Sequence, residues 1–188
     1  MSARESIVPV FVPHLGCPND CVFCNQRRIS GEQLPAGPDT VKNAIENAAF
    51  LPAGGKRQLA FYGGSFTAIP VAQQEALLRV AKQYLDRGDI SSIRLSTRPD
   101  AIDYEVLDRL RFYGVETIEL GAQSLDDEVL ILSGRGHTAQ DVENASRLIK
   151  SRGFKLILQM MTGLPGDSQE KSIETARKII SLNPDGVR

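Results

Sequence analysis

Short apolar, β-branched runs alternate along this chain with longer stretches whose apolar residues recur every three to four positions. The runs are IVPVFV (7–12), RQLAFY (57–62), SIRLS (92–96), TIELG (117–121) and KLILQMM (155–161). Each is bounded by Gly, Pro or charge, which predicts a strand. Pro9 weighs against the first, because proline cannot donate to a sheet ladder. Between the runs, Leu77, Val80, Ala81, Tyr84 and Leu85 follow the i, i+3, i+4, i+7, i+8 spacing of an amphipathic helix. Val106, Leu107 and Leu110 form a shorter stripe. Val142, Ala145, Leu148 and Ile149 form another, opened by Thr138 with Asp141 three residues on. Ile173, Ala176, Ile179 and Ile180 form the last, with Asp167 and Glu170 in capping-box register before it. A further helix is expected over 39–50.

Strand and helix in strict alternation predict parallel βα units, five of them countable here. Two architectures fit that pattern, an open doubly wound sheet and a (β/α) barrel. Both place their sites at the C-terminal ends of the strands. No linker divides the chain, so residues 1–188 read as one domain. The closing NPDGVR reads as the start of a sixth strand. The expectation is therefore a domain incomplete at its C-terminus, with KLILQMM left as an unsatisfied apolar edge.

Composition narrows the function classes. A chain of 188 residues, 41% hydrophobic and 24% charged, can bury a core without disulfide staples. Its net charge of −1 gives no whole-chain basic footprint for nucleic acid. The apolar run near the N-terminus is short and interrupted by Pro9 and Pro13, which suits neither a membrane span nor a signal peptide. That reading is cytosolic, where thiols stay reduced. Only three cysteines occur, Cys17, Cys21 and Cys24, packed into GCPNDCVFCN. An odd count at such spacing argues against a disulfide framework. Thiolates are soft ligands for zinc and iron–sulfur clusters. Zinc wants four protein ligands, and His14 could complete a Cys3His set. Three thiolates on a [4Fe–4S] cubane instead leave one iron open for a small molecule. Three merely buried cysteines would be scattered by core packing, not gathered in a Gly/Pro/Asn loop.

The motif CPNDCVFC, with Phe23 directly before the last cysteine, resembles the cluster loop of the radical S-adenosylmethionine (SAM) superfamily. GAQSLDDEVLILSGRGHT and MTGLPGD are similar to the oxygen-independent coproporphyrinogen III oxidase family. STRPD and MMTGLPGD are similar to the radical SAM domain of the Elongator catalytic subunit. The resemblance covers essentially the whole chain. It implies an α/β fold, a partial (β/α)6 TIM-like barrel truncated at the start of strand six. It implies a [4Fe–4S] cluster on Cys17, Cys21 and Cys24 that reductively cleaves SAM to a 5′-deoxyadenosyl radical, which then abstracts hydrogen from a substrate.

The same resemblance assigns the other motifs. Gly63 and Gly64 of FYGGSF would present backbone to the ammonium of SAM; the family usually has an acid where this chain has Ser65. Ser96 stands where relatives carry a glutamate near the ribose. Gln123 would bind the ribose, and Arg135 the methionine carboxylate. Gln159 would face the cofactor, and Met161 would lie along the adenine. Taken alone, each has a plainer reading: a tight turn at Gly63–Gly64, loop or surface polar residues at Arg98, Gln123 and Arg135, barrel packing at Met160 and Met161, solvated charge at Arg27 and Arg28, and a structural role for His137. The family also implies an external one-electron donor of flavodoxin or ferredoxin type. Kinship suggests tRNA or a porphyrinogen as substrate, and no membrane partner. An electron carrier and a zinc-bound structural module are the alternatives from other classes.

Overall fold

The computed structural model describes residues 6–12, 21–24, 36–49 and 56–188. Cys17, His14, Arg27 and Arg28 lie outside the described residues. Six strands follow one another in the chain: β1 (Ser6–Val12), β2 (Arg57–Gly63), β3 (Ser92–Thr97), β4 (Val115–Gln123), β5 (Lys155–Met160) and β6 (Gly186–Val187). They form one sheet in sequential order, and every pairing is parallel. The helices are α1 (Pro38–Ala49), α2 (Val71–Arg87), α3 (Tyr104–Phe112), α4 (Asp127–Leu132), α5 (Ala139–Ser151) and α6 (Gln169–Ser181). Short 3-10 turns at Phe66–Ala68 and Pro99–Ala101 follow β2 and β3. Of the two architectures that alternation allowed, this sequential order is that of a part-barrel. Among the described residues no pairing joins β6 to β1, so the barrel is open.

The two faces of the sheet differ in chemistry. One face carries Val8, Val10, Leu59, Phe61, Ile93, Leu95, Ile118, Leu120, Leu156 and Leu158, all buried in the core. Val41 and Ile45 of α1, Leu77, Leu78 and Ala81 of α2, Leu107 and Leu110 of α3, and Val142 and Ile149 of α5 belong to that same core. Burying such side chains is the main favourable term in folding, about 1.5–3 kcal/mol for each large one. The other face carries Phe11, Tyr62, Arg94, Ser96, Glu119 and Gln159, placed together by register: Phe11 opposite Tyr62, Ser96 opposite Glu119 and Gly121 opposite Gln159. A parallel strand buried on both faces reads as continuously apolar. Strand β1 instead alternates, with Ile7 and Phe11 exposed and Val8, Val10 and Val12 buried.

Local signals set the helix starts. Thr138 caps α5 in the expected box, its side chain accepting from Asp141 N while the Asp141 carboxylate accepts from Thr138 N. Those donors hold the Asp141 carboxyl below its usual range. At α6 the cap is Ser168, not Asp167. The Asp167 carboxylate accepts from Gly163 N, Ser168 N and the Ser172 hydroxyl, closing the turn at the end of TGLPGD. The six-residue α4 is too short to show periodicity; its cap, Asp126, accepts from Val129 N.

The expected bare edge on β5 is also corrected. Gly186 and Val187 pair with Ile157 and Leu158, Asp185 N donates to Leu156 O, and Met160 N donates to Arg188 O. Ladder bonds therefore run along both sides of β5.

His137, expected to be structural, ties the turn before α5 to the end of β4. Its Nε2 lies 3.3 Å from Ala122 O, and Nδ1 is buried without a partner among the described residues. Burial, reinforced by the nearby Arg135 charge, pushes its pKa down to about 4. An unfolded histidine takes its proton near pH 6.5, before the folded one can. Stability is thus intact above that pH and is lost as pH falls towards 4. Between pH 7 and 5 the wild type should lose about 2 kcal/mol in urea unfolding from this group alone. His137→Gln should lack that part of the slope; identical pH slopes in the two proteins would count against it.

Candidate active site

A cavity of about 390 Å³ opens at the C-terminal ends of the strands. Successive strands supply its wall. Cys21, Phe23 and Cys24 come from the segment between β1 and α1, and Gly63, Gly64 and Ser65 from the end of β2. Ser96, Thr97 and Arg98 follow from β3, Gly121 and Gln123 from β4, and Arg135 from the turn between α4 and α5. Gln159, Met160 and Met161 end β5, and Arg188 follows β6. Every candidate residue read from the sequence that lies among the described residues is in this one wall. Cys17 is outside them.

The cysteine segment is fixed by backbone. Cys24 N donates to Cys21 O at 2.9 Å, folding the two-residue gap into a turn. Val22 N donates to Ser133 O, tethering that turn to the end of α4. Cys21 is buried and Cys24 half-buried. Arg135 reaches the same point: Nη2 donates to Gly121 O at 2.6 Å, Nη1 lies 3.5 Å from Cys21 Sγ, and the guanidinium sits 5.8 Å from the Phe23 ring centre.

Two backbone features make room. A Cβ on Gly121 would lie 3.0 Å from Gln123 Nε2 and 3.3 Å from Arg135 Nη2, so any larger residue would push both side-chain ends outward from β4. Gln123 has φ of 68°, in the left-handed region uncommon for a non-glycine residue. It ends a register shift against β5, and its carbonyl accepts from Met161 N. A bulge of this kind re-aims a side chain at a strand end.

The serines divide. The Ser65 hydroxyl is 2.9 Å from Thr97 Oγ1 and accepts from Arg98 N, so it knits the ends of β2 and β3 together. The Ser96 hydroxyl is buried in the wall with no partner among the described residues. Met161 is partly exposed at the rim. Arg98 is not the solvated loop charge its position suggested. It is buried, pairs with Asp100, and donates from Nη2 to Arg135 O. That contact supports the backbone that carries Arg135.

Glu119 was not anticipated. It lies in TIELG and has no exposed surface. Its Oε1 accepts from Tyr62 OH at 3.2 Å and Arg94 Nη1 at 2.8 Å; Oε2 accepts from Gln159 Nε2 at 2.7 Å and Arg188 Nη1 at 3.0 Å. Burial and the Glu119 charge raise the Tyr62 pKa, keeping the phenol a donor. A charge at an inward position of an apolar strand was the available signal, since ionised side chains are rarely fully buried unless paired. Because a carboxylate only accepts, Gln159 must give it the amide NH2, which leaves the Gln159 carbonyl for the cavity.

Comparison with known proteins fits this geometry. A profile described as the Radical SAM superfamily matches residues 11–179. The tRNA uridine(34) acetyltransferase of Dehalococcoides mccartyi is 25% identical over a gapped alignment of 216 positions that covers 96% of this chain and 47% of that protein. In fold, the chain is similar to Methanocaldococcus infernus Elp3, with a TM-score of 0.74 at 22% identity, over 98% of this chain and 45% of that one. It is also similar to coproporphyrinogen III oxidase (HemN) of Escherichia coli, described as a radical SAM enzyme. There the TM-score is 0.69 at 25% identity, over 98% and 44% of the two chains. The chain spans about half the length of the curated relatives it matches, between 47% and 58% for three of them. With the profile covering most of its length and an open parallel part-barrel beneath the cavity, the chain belongs to the radical SAM superfamily, a superfamily of enzymes.

Proposed function

We propose that residues 1–188 form one radical SAM core domain in which Cys17, Cys21 and Cys24 hold a [4Fe–4S] cluster and the adjoining cavity holds SAM. One observation carries this reading. Two of the three cysteines, Arg135 and Gln123 meet at one cavity although they come from three separate parts of the chain. The donor set fits the groups. Soft thiolates suit iron. The Ser96 hydroxyl is an orphaned polar atom in the wall, and the space over Gly121 is one that a Cβ would fill.

When bound, cluster and SAM supply a one-electron reductive cleavage of the sulfonium and hydrogen abstraction from a substrate, an oxidoreductase-type chemistry. The chain's own residues do the holding. The Arg135 fork matches a carboxylate such as that of the SAM methionine, and it stands beside Cys21. The amide of Gln123 donates and accepts at once, which suits ribose hydroxyls. Ser96 adds a hydroxyl there, and Gln159 adds a carbonyl acceptor. Backbone at Gly63, Gly64 and Ser65 receives the ammonium. Ser65 supplies no side-chain charge, so that contact rests on carbonyl oxygens. Met161 at the rim would cover the adenine, and Phe23, against which Arg135 sits, would line the cluster's side of the cavity.

The substrate reading follows kinship. The relatives' names point to tRNA or a porphyrinogen. An external flavodoxin or ferredoxin would deliver the electron. Reduced thiols fit a cytoplasmic setting. Among the described residues, no helix is long and apolar enough to cross a membrane.

Anaerobic reconstitution followed by iron, sulfide and zinc analysis tests the cluster. The wild type should bind iron and sulfide, and alanine at Cys17, Cys21 or Cys24 should remove most of both. Uptake of zinc alone, or a full cluster in any of the three variants, would defeat the assignment. For the SAM site, Arg135→Ala should weaken SAM about ten- to hundredfold by calorimetry, as expected from losing a charge-assisted hydrogen bond of about 1.5–3 kcal/mol. Gly121→Ala should weaken it too, by displacing Gln123 and Arg135 at once. Unchanged affinity in both variants would remove these residues from the cofactor site.

A further inference from the structure

Three buried hydroxyls stand in a line where β2 and β3 end. Thr67, in the 3-10 turn after β2, meets the backbone oxygen of Ala101, in the 3-10 turn after β3, at 2.6 Å. The hydroxyls of Thr67 and Thr97 are bonded to each other, and that of Ser65 lies 2.9 Å from Thr97 Oγ1. Arg98 N closes the line, donating to Ser65 Oγ at 3.2 Å.

A hydroxyl owns one proton and two lone pairs, and that count fixes the direction of every bond here. A carbonyl only accepts, so the Thr67 proton goes to Ala101 O. The Thr67 oxygen must then accept, and the Thr97 proton goes to it. The Thr97 oxygen accepts in turn, and the Ser65 proton goes to Thr97. Ser65 keeps only its oxygen for other partners. One lone pair takes Arg98 N, and among the described residues nothing takes the second.

Ser65 and Thr97 both line the cavity. A solvated serine turns its proton either way, but this one is committed, so Ser65 meets a ligand as an acceptor and not as a donor. The complement of such a face, set beside backbone carbonyls, is a protonated amine, which brings three donors and no acceptor.

We propose that Thr97 is a positioning residue for cofactor recognition: with Thr67 behind it, it locks the Ser65 hydroxyl as an acceptor, and this end of the cavity thereby selects the protonated amine of SAM. The proposal rests on the reading of the cavity as a SAM site. To the backbone oxygens of that turn it adds one oriented side-chain oxygen, and it names the residues that set the orientation.

The test uses the full chain with its cluster reconstituted and two ligands titrated by calorimetry: SAM, and the SAM analogue in which hydrogen replaces the α-amine. The readout is the preference for SAM over that analogue. Ser65→Ala should lower the preference about tenfold, as expected for one hydrogen bond to a charged group. Thr97→Val keeps the side-chain shape, removes the acceptor of the Ser65 proton, and should lower the preference about three- to tenfold. Thr97→Ser should restore it to within about twofold of wild type. The Ser65→Ala/Thr97→Val double variant should match Ser65→Ala alone, because Thr97 acts through Ser65. A merely structural role would weaken both ligands alike. Unchanged preference in Thr97→Val, or an effect of Thr97→Val that persists on the Ser65→Ala background, would therefore overturn the proposal. Circular dichroism checks each fold. Should Thr97→Val not fold, Thr67→Val, which removes the next acceptor of the line, is read by the same criterion. If the wild type binds no SAM at all, the cofactor reading fails and the proposal falls with it; if SAM binds and the variants keep the wild-type preference, the proposal alone fails.

Discussion

Glu119 is the constraint on which the concave side of this sheet depends. A carboxylate with no exposed surface is tolerated only when charged and polar donors fill its lone pairs. Here three donors come from three different strands, Tyr62 on β2, Arg94 on β3 and Gln159 on β5, and the fourth, Arg188, follows β6. All of them reach one point on β4. Tyr62 and Arg188 start two strands away on either side, roughly 9–10 Å across the sheet, so long side chains leaning towards β4 make the network. Removing one partner of such a buried ion pair typically costs about 3–5 kcal/mol, because the other charge is left uncompensated.

That polar interior also explains why the cavity exists. Closed barrels of this general kind fill their interior with layers of branched apolar side chains and leave no space. Here the inward positions carry Arg94, Ser96, Glu119 and Gln159, which bind one another or face open volume instead of interdigitating. The apolar face packs the helices, and the polar face keeps a pocket. At the pocket's rim the backbone adds its own device. Gln123 sits at a positive φ, a conformation that typically costs a non-glycine residue about 1–3 kcal/mol. Hydrogen bonds from Met161 N to Gln123 O and from Ser124 N to Ala122 O hold it there. The strain is local to the residue whose amide the cofactor reading uses.

Much of this was legible in the sequence, because the features that set it are local. Period-two and period-3.6 patterns located β1 to β5 and the long helices. The Thr138 and Asp141 pair located the start of α5, and the motifs after each strand located the residues of the cavity wall. What escaped was set at long range. Glu119 looks like an isolated charge until Arg94 and Arg188 arrive from 25 residues before it and 69 after it. Arg98 looks solvated until the Arg135 backbone folds over it. Ser168 takes the helix cap because Asp167 is already engaged by Gly163 and Ser172, a competition no capping pattern records. The two-residue β6 is below the length at which any pattern declares itself.

The segment from Ser133 to Thr138 joins these parts. Ser133 O holds the cysteine turn through Val22 N, and Arg135 reaches both Cys21 and Gly121. His137 anchors on the Ala122 carbonyl, and Thr138 starts α5. Arg98 braces the same stretch from β3 through the Arg135 carbonyl. Six consecutive residues thus touch the cysteine loop, the bulged end of β4 and the helix that packs behind it. Displacing any one of these contacts moves Arg135 relative to both Cys21 and Gln123. The spacing between the Cys21 end and the Gln123 end of the cavity is therefore set mainly by how this short turn packs. Glycines at 134 and 136, both at positive φ, let the chain make that turn. The residues between and after them do the bonding, which is why SGRGHT carries more of the site than its length suggests.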